Sequence, residues 1–251
     1  MKSIHVYFAR MLAGSFLLGA LSCKKSIQTQ SNSCKLVAIL DTGTYNGAPS
    51  TAVELFSYDS AGRLSKYQSI NSAVTKTITY TYMGNLMIGT PDNPGYEPTD
   101  SVYLNDKGLP YRLIIDVPGQ IHDNRTYTYD ASGQLQSEIF VENNGVFNAF
   151  SIDFEYSGGD LVKETSNGYI TNYTYYTDKP AADGDCNRVS QLSAFGIVIE
   201  RSAHLIKSTQ SDMNKSNYTY TFDQSGKIIS CTRVTNSSTP EKKVYEYDCS
   251  H

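Results

Sequence analysis

Tyr58-Asp59-Ser60-Ala61-Gly62-Arg63-Leu64 recurs along this chain with small changes. It returns as Tyr129-Asp130-Ala131-Ser132-Gly133-Gln134-Leu135, as Phe222-Asp223-Gln224-Ser225-Gly226-Lys227-Ile228 and, more loosely, as Leu104-Asn105-Asp106-Lys107-Gly108-Leu109. Asp or Asn opens such a turn by hydrogen-bonding the backbone just ahead of it, and Gly closes it in the left-handed conformation. An apolar residue two places on begins the return strand, so each copy is the joint of a β-hairpin.

Around these joints the chain alternates. Thr77, Thr79 and Thr81 fall on one face of a strand, and Ile78, Tyr80 and Tyr82 on the other. Tyr127 with Tyr129, Phe154 with Tyr156, Tyr173 with Tyr175, Tyr218 with Tyr220, and Tyr245 with Tyr247 repeat the pattern. Period-two aromatic residues between Thr residues mark half-buried strands. Turn glycines at 62, 84, 108, 133 and 159 are spaced by 22 to 26 residues, room for two strands and two connections each. The expectation is an all-β domain, a long antiparallel meander of a dozen or more strands. A sheet that long must twist and curl, giving a strongly curved sheet or a partly closed barrel. Two stretches break the rhythm. Gly89 to Asp100, with Pro91, Pro94 and Pro98, reads as loop and not central strand, and Thr177 to Ser193 as a long irregular connection. Ser190 to Phe195 is the one short helical stretch outside the leader.

The first residues read as an export signal. Lys2 and Arg10 are basic, Met11 to Leu21 is uncharged and mostly apolar, and the run is shorter than the roughly 20 residues of a membrane-spanning helix. Ala20-Leu21-Ser22-Cys23 resembles the lipobox of bacterial lipoproteins, with Ala20 and Leu21 departing from its usual order. That resemblance implies lipidation at Cys23. The organisation expected is a signal peptide over 1–22, a flexible Ser-, Gln- and Lys-rich tether over 23–33 and one β domain over 34–251. Beyond residue 22 the chain carries 19 basic against 25 acidic side chains, and no basic face is evident, which argues against nucleic acid as a partner. With Cys23 lipidated, Cys34, Cys186, Cys231 and Cys249 remain, an even set in an oxidising compartment, for which three pairings exist.

The Tyr-x-Tyr-Asp-x-x-Gly-x-Leu pattern resembles the YD repeats of large secreted β-shell proteins. The layout as a whole resembles uncharacterised lipoproteins of Bacteroidota, in which similar hairpins precede a loop like Tyr176-Thr177-Asp178-Lys179-Pro180 and a segment like Ala203-His204-Leu205-Ile206-Lys207-Ser208. The likeness covers most of residues 35 to 251 and implies an exported, lipid-anchored β domain in the cell envelope, at the outer membrane.

Catalytic constellations are not selected by spacing. His122, His204 and His251 stand far apart, and a lone histidine is a poor start for a zinc site. Asp183, Asp185 and Asn187 imitate the opening of a calcium loop, but Arg188 stands where Gly is needed and Ala194 where Glu is needed. No Gly-x-Ser-x-Gly elbow and no phosphate-cradling glycine loop occur. Glu138 with Glu142, and Asp153 with Glu155, read as solvated strand residues rather than a glycosidase pair. Neither enzyme chemistry nor a metal or other cofactor is expected.

Tyrosine is the unusual asset, with 20 copies and no Trp. Its flat face and polar tip suit sugar rings and protein partners, although most copies occupy the repeat position and serve the sheet. Tyr96, Tyr111 and Tyr169 lie off the repeat and are the candidate contacts. Two functions fit: a non-catalytic binding or scaffolding module for a glycan or an envelope protein, or a periplasmic carrier holding a lipid or other hydrophobic ligand in the groove of the curved sheet.

Overall fold

The computed structural model describes residues 34–45, 48–94, 97–116, 122–142, 149–236 and 239–249. Among them, sixteen antiparallel strands follow in chain order and close into a barrel. They are β1 (Lys35–Tyr45), β2 (Ala48–Tyr58), β3 (Leu64–Asn71), β4 (Thr75–Met83), β5 (Leu86–Pro91), β6 (Thr99–Leu104), β7 (Pro110–Asp116), β8 (His122–Tyr129), β9 (Leu135–Glu142), β10 (Phe150–Ser157), β11 (Asp160–Ser166), β12 (Tyr169–Pro180), β13 (His204–Ser211), β14 (Lys215–Phe222), β15 (Ile228–Thr235) and β16 (Glu241–Asp248). One helix, α1 (Cys186–Phe195), is inserted between β12 and β13. β1 pairs with β16 from Lys35↔Asp248 to Thr42↔Lys242, so the meander closes completely and has no free edge.

Each repeated turn is built the same way. The amide of Asp59 donates to the carbonyl of Arg63 at 2.8 Å, and that of Gly62 to the carbonyl of Asp59 at 2.9 Å. Asp59 Oδ1 accepts from the amides of Ala61 and Arg63 at 2.9 Å each. Asn105 accepts from Lys107 and Leu109, Asp130 from Gln134, and Asp223 from Ser225 and Lys227 in the same positions. Gly62, Gly108, Gly133 and Gly226 have φ between +71° and +87°, where a Cβ would be strained. A register shift follows at each, between Ser57 and Tyr58, Tyr103 and Leu104, Thr128 and Tyr129, and Thr221 and Phe222. These bulges add twist where the sheet must curve.

In an unbroken meander, connections from even to odd strands share one end of the barrel, which is therefore the turn end; the remaining connections form the loop end. Burial alternates as the sequence does. Ile78, Tyr80, Tyr127 and Tyr245 are buried, whereas Thr79, Thr81, Thr126 and Thr128 are exposed. The core is therefore the lumen. Near the turn end the pre-turn tyrosines clamp the preceding strand: the Tyr58 hydroxyl donates to the Leu36 carbonyl at 2.8 Å, and Tyr82 to Leu64 at 2.9 Å.

Both irregular stretches are shorter than the sequence suggested. Gly89, Thr90 and Pro91 belong to β5, where Gly89 lies opposite Tyr80 and Pro91 opposite Ile78. Pro91 is tolerated because the pairing of β5 with β6 has ended at Gly89 and no partner there needs its missing N–H. Thr177 to Pro180 extend β12, and the helix begins at Cys186 rather than Ser190. Asp185 is its N-cap, Oδ1 accepting from the amides of Asn187 and Arg188, and Gly196 caps the far end at φ 69°. Of the residues that imitate a calcium loop, Asp185 is this cap, Asn187 belongs to the helix and Asp183 lies in the turn before it.

Candidate functional site

A barrel of sixteen strands is wider than its own side chains can fill. Here α1 and its flanks occupy the lumen. Cys186 is disulfide-bonded to Cys231 on β15, and Ser193 donates to Glu54 on β2. Phe195 lies 5.7 Å from the Arg125 guanidinium on β8, and Gly196 abuts the Tyr80 ring on β4. Asp185 Oδ2 accepts from the Ile206 amide on β13 at 3.0 Å and from the Tyr220 hydroxyl on β14 at 3.2 Å. Only a helix inside the ring reaches walls this far apart. Residues 197–203 then return to β13: Gln191 Oε1 accepts from the Ile199 and Glu200 amides at 2.8 Å each, and the Ala203 amide donates to the Gly159 carbonyl at 3.0 Å.

Away from the tyrosine layer the inward positions carry charge. Lys243 of β16 bridges to Asp41 at 2.5 Å and to Glu54 at 3.4 Å, and the Tyr67 hydroxyl donates to Glu54 at 3.0 Å. Arg125 of β8 pairs with Asp123 at 3.0 Å and with Glu138 of β9 at 3.3 Å. Asp100 of β6 is buried, and burial pushes its carboxyl up to about 6 against the pull of Lys76 and Arg125. Glu138, read from sequence as solvated, instead faces the lumen, because its partner across the ladder is the buried Tyr127.

Between α1 and β8–β11 the filling is incomplete. A cavity of about 170 Å³ is walled by Arg125, Tyr127, Glu138, Phe154, Glu164 and Glu200, among others. Glu164 Oε2 accepts from the Tyr173 hydroxyl at 2.6 Å, and Glu200 Oε1 accepts from Asn187 Nδ2 at 2.9 Å. Burial, then the charges of Glu164 and Asp185, push the Glu200 carboxyl up to about 8. A second cavity of about 230 Å³ lies on the other side of α1, against Tyr218, Arg233, Glu241 and Lys243.

The predicted contact residues are scattered. Tyr111 sits on the outer wall at the turn end, 44 % exposed, its ring 6.2 Å from that of Tyr103. Met83, Asn85, Asn105 and Asp106 border the pair, and the Arg112 guanidinium lies 5.8 Å from the Tyr103 ring. Tyr169 is exposed at the start of β12, at the opposite end. Tyr96 and Cys23 lie outside the described residues. Cys34 is bonded to Cys249, which joins the two strands of the barrel seam. His204 Nδ1 lies 2.8 Å from Asp160 Oδ2, and among the described residues no group of three or more ligating side chains could hold a metal ion.

Sequence reasoning missed the lumenal charges, although parity held the signal. Glu54, Lys76, Arg125 and Lys243 each stand an even number of residues before a buried aromatic side chain of the same strand.

No protein-family model and no curated protein matches this chain. Among solved structures it is similar to a porin-like protein from Bacteroides uniformis ATCC 8492, with a TM-score of 0.65 and 19% identity over 85% of this chain and 98% of that one. That likeness is one of fold alone. A porin-like protein from Bacteroides vulgatus ATCC 8482, at a TM-score of 0.31 and 10% identity over 85% of this chain and 98% of that one, is too distant to add to it.

Proposed function

We propose that this chain is a non-catalytic envelope barrel, tethered by lipid at Cys23, that binds a glycan on its outer wall. The outer face supports a barrel standing in water. A membrane barrel wears an apolar band around its circumference and keeps its polar side chains inside. Here the outward residues include Asn124, Thr126 and Thr128 on β8, Ser151, Asp153 and Glu155 on β10, and Asn217, Thr219 and Thr221 on β14. The row Ile70–Val53–Leu40–Val244 crosses four strands, and Ile139, Val141 and Val234 are exposed elsewhere on the wall, but their neighbours across the ladder are Thr, Ser and Asn and no band forms. The solved neighbour is described as porin-like, but α1 obstructs the passage such an activity would need. A lipid carrier is disfavoured as well, because cavities of about 170 and 230 Å³ fall below the roughly 300–1,000 Å³ of ordinary ligand pockets.

The observation that carries the glycan reading is the Tyr103–Tyr111 pair, two tilted aromatic faces ringed by amide, carboxylate and guanidinium groups on a wall otherwise rich in Thr and Ser. Aromatic faces take the apolar side of a sugar ring, and the polar border takes its hydroxyls. Retardation of the protein in native gels cast with soluble polysaccharides tests this. Tyr103→Ala and Tyr111→Ala should each weaken retention about tenfold, the equivalent of 1.4 kcal/mol. Retention by a polysaccharide that survives both substitutions would move the site elsewhere.

A further inference from the structure

The lumenal cavity beside α1 sets three carboxyl groups against one basic side chain. Glu138, Glu164 and Glu200 face it, and Arg125 is the basic group in its wall. Arg125 is already engaged by Asp123 and Glu138. The partners of Glu164 and Glu200 within hydrogen-bond reach, the Tyr173 hydroxyl and the Asn187 amide, are neutral. Carboxylates partly withdrawn from water favour a cation or a proton beside them. A second observation is independent of charge. Tyr127 also lines the cavity, is only 4% exposed, and its hydroxyl has no hydrogen-bond partner among the described residues. A buried hydroxyl without a protein partner at the cavity wall is available to bond a molecule inside it.

The remaining walls define what kind of cation fits. Phe154 and Phe195 bring aromatic rings to the same space, and such faces attract ammonium groups. The volume of about 170 Å³ is close to that of a cavity known to accept benzene, which sets the occupant at about six non-hydrogen atoms. A bare metal ion suits the site poorly. It needs several oxygens converging at roughly 2.0–2.6 Å, whereas the three carboxylates come from β9, β11 and the segment after α1 and do not cluster. Arg125, Glu138, Phe154, Glu164, Asn187 and Glu200 are half-buried rather than sealed, so space in the lumen reaches them.

We infer that this cavity binds a compact organic ammonium ion, with Glu138, Glu164 and Glu200 as counter-charges, the Tyr127 oxygen as acceptor, and Phe154 and Phe195 as the aromatic wall. The site is separate from the outer Tyr103–Tyr111 surface and does not depend on it. Binding is coupled to a proton. Glu200 is faced by Glu164 of β11, by Asp185 of the helix cap, by Tyr156, Tyr173 and Tyr175 of β10 and β12, and by Arg125 and Glu138 across the cavity. With its carboxyl at about 8, it is protonated at neutral pH and must release that proton as the cation enters.

Titration calorimetry of the full chain with 1,4-diaminobutane, and with 1,4-butanediol as its neutral isostere, tests the inference. Saturable binding of the diamine should strengthen about tenfold per pH unit between pH 6 and 7 and level off above pH 8. Glu200→Gln should abolish the pH dependence, Glu164→Gln should weaken binding at least tenfold without removing it, and Tyr127→Phe should weaken it several-fold. Three results would overturn the inference: no saturable heat at 10 mM diamine, equal binding of the diol, or calcium chloride binding with the same sensitivity to Glu164→Gln. Should Glu200→Gln fail to fold, a pH-independent dissociation constant for the wild-type chain would overturn it equally.

Discussion

Asp59, Asp130 and Asp223 each organise a turn with one carboxylate oxygen, and hydrogen bonds keep all three carboxyls below their ordinary range. For Asp59 the chief donor is the Arg63 amide, for Asp130 the Ser132 hydroxyl and for Asp223 the Ser225 hydroxyl. A depressed carboxyl contributes stability that is complete above its unfolded pKa and is lost as pH falls through the folded value. Thermal melts between pH 6 and 2 should therefore show the Tm falling below about pH 4. Asp130→Asn, which keeps the acceptor oxygen, should weaken that fall, and Asp130→Ala should lower the Tm at every pH. Glu200 has the opposite sign. Its folded carboxyl is raised, so its contribution is complete below the unfolded value and is lost as pH rises towards about 8. Glu200→Gln should raise the Tm at pH 8–9 and flatten the slope between pH 5 and 8. An unchanged slope would mean that the side chain ionises freely in the folded barrel.

At the scale of elements, the hairpins were legible and the plug was not. Every turn residue quoted from the sequence makes its bond locally, with Asp or Asn reaching two and four residues ahead, so the information lies within seven letters. α1 draws instead on partners far along the chain. Its Cys186 is bonded 45 residues away, and its Ser193 meets Glu54, 139 residues away. Asp185 and Gly196 were readable as caps, but Asp183-Gly184-Asp185 has the look of a loop, and only the lumen gives the helix a surface to cover. Gly196 is where the plug is most exacting. A Cβ there would sit 2.5 Å from the Tyr80 ring at a φ of +69°. Gly196→Ala should cost at least about 1–2 kcal/mol from the left-handed backbone alone, more with the clash, read as a lower midpoint in urea. A wild-type midpoint would show that α1 does not press on β4.

At the scale of the molecule, closure itself was half legible. A long meander has to curl, but whether the last strand meets the first depends on strand number and stagger, which repeat spacing alone does not give. Closure turns the tyrosine layer inward together with Glu54, Arg125 and Lys243, and leaves on the outer wall a mixture of Thr, Ser, charged and scattered apolar side chains instead of the continuous apolar band of a barrel that lives in lipid. The lumenal charges follow the same parity as the tyrosines; they were overlooked because a charged residue on a strand is ordinarily a solvated one. The direct test is fractionation of cells expressing the chain with Cys23→Ala, followed by planar-bilayer recording. A water-facing, plugged barrel held only by its lipid predicts release into the detergent-free soluble fraction and no conductance. Retention in the membrane until detergent is added, with ion conductance on reconstitution, would contradict it.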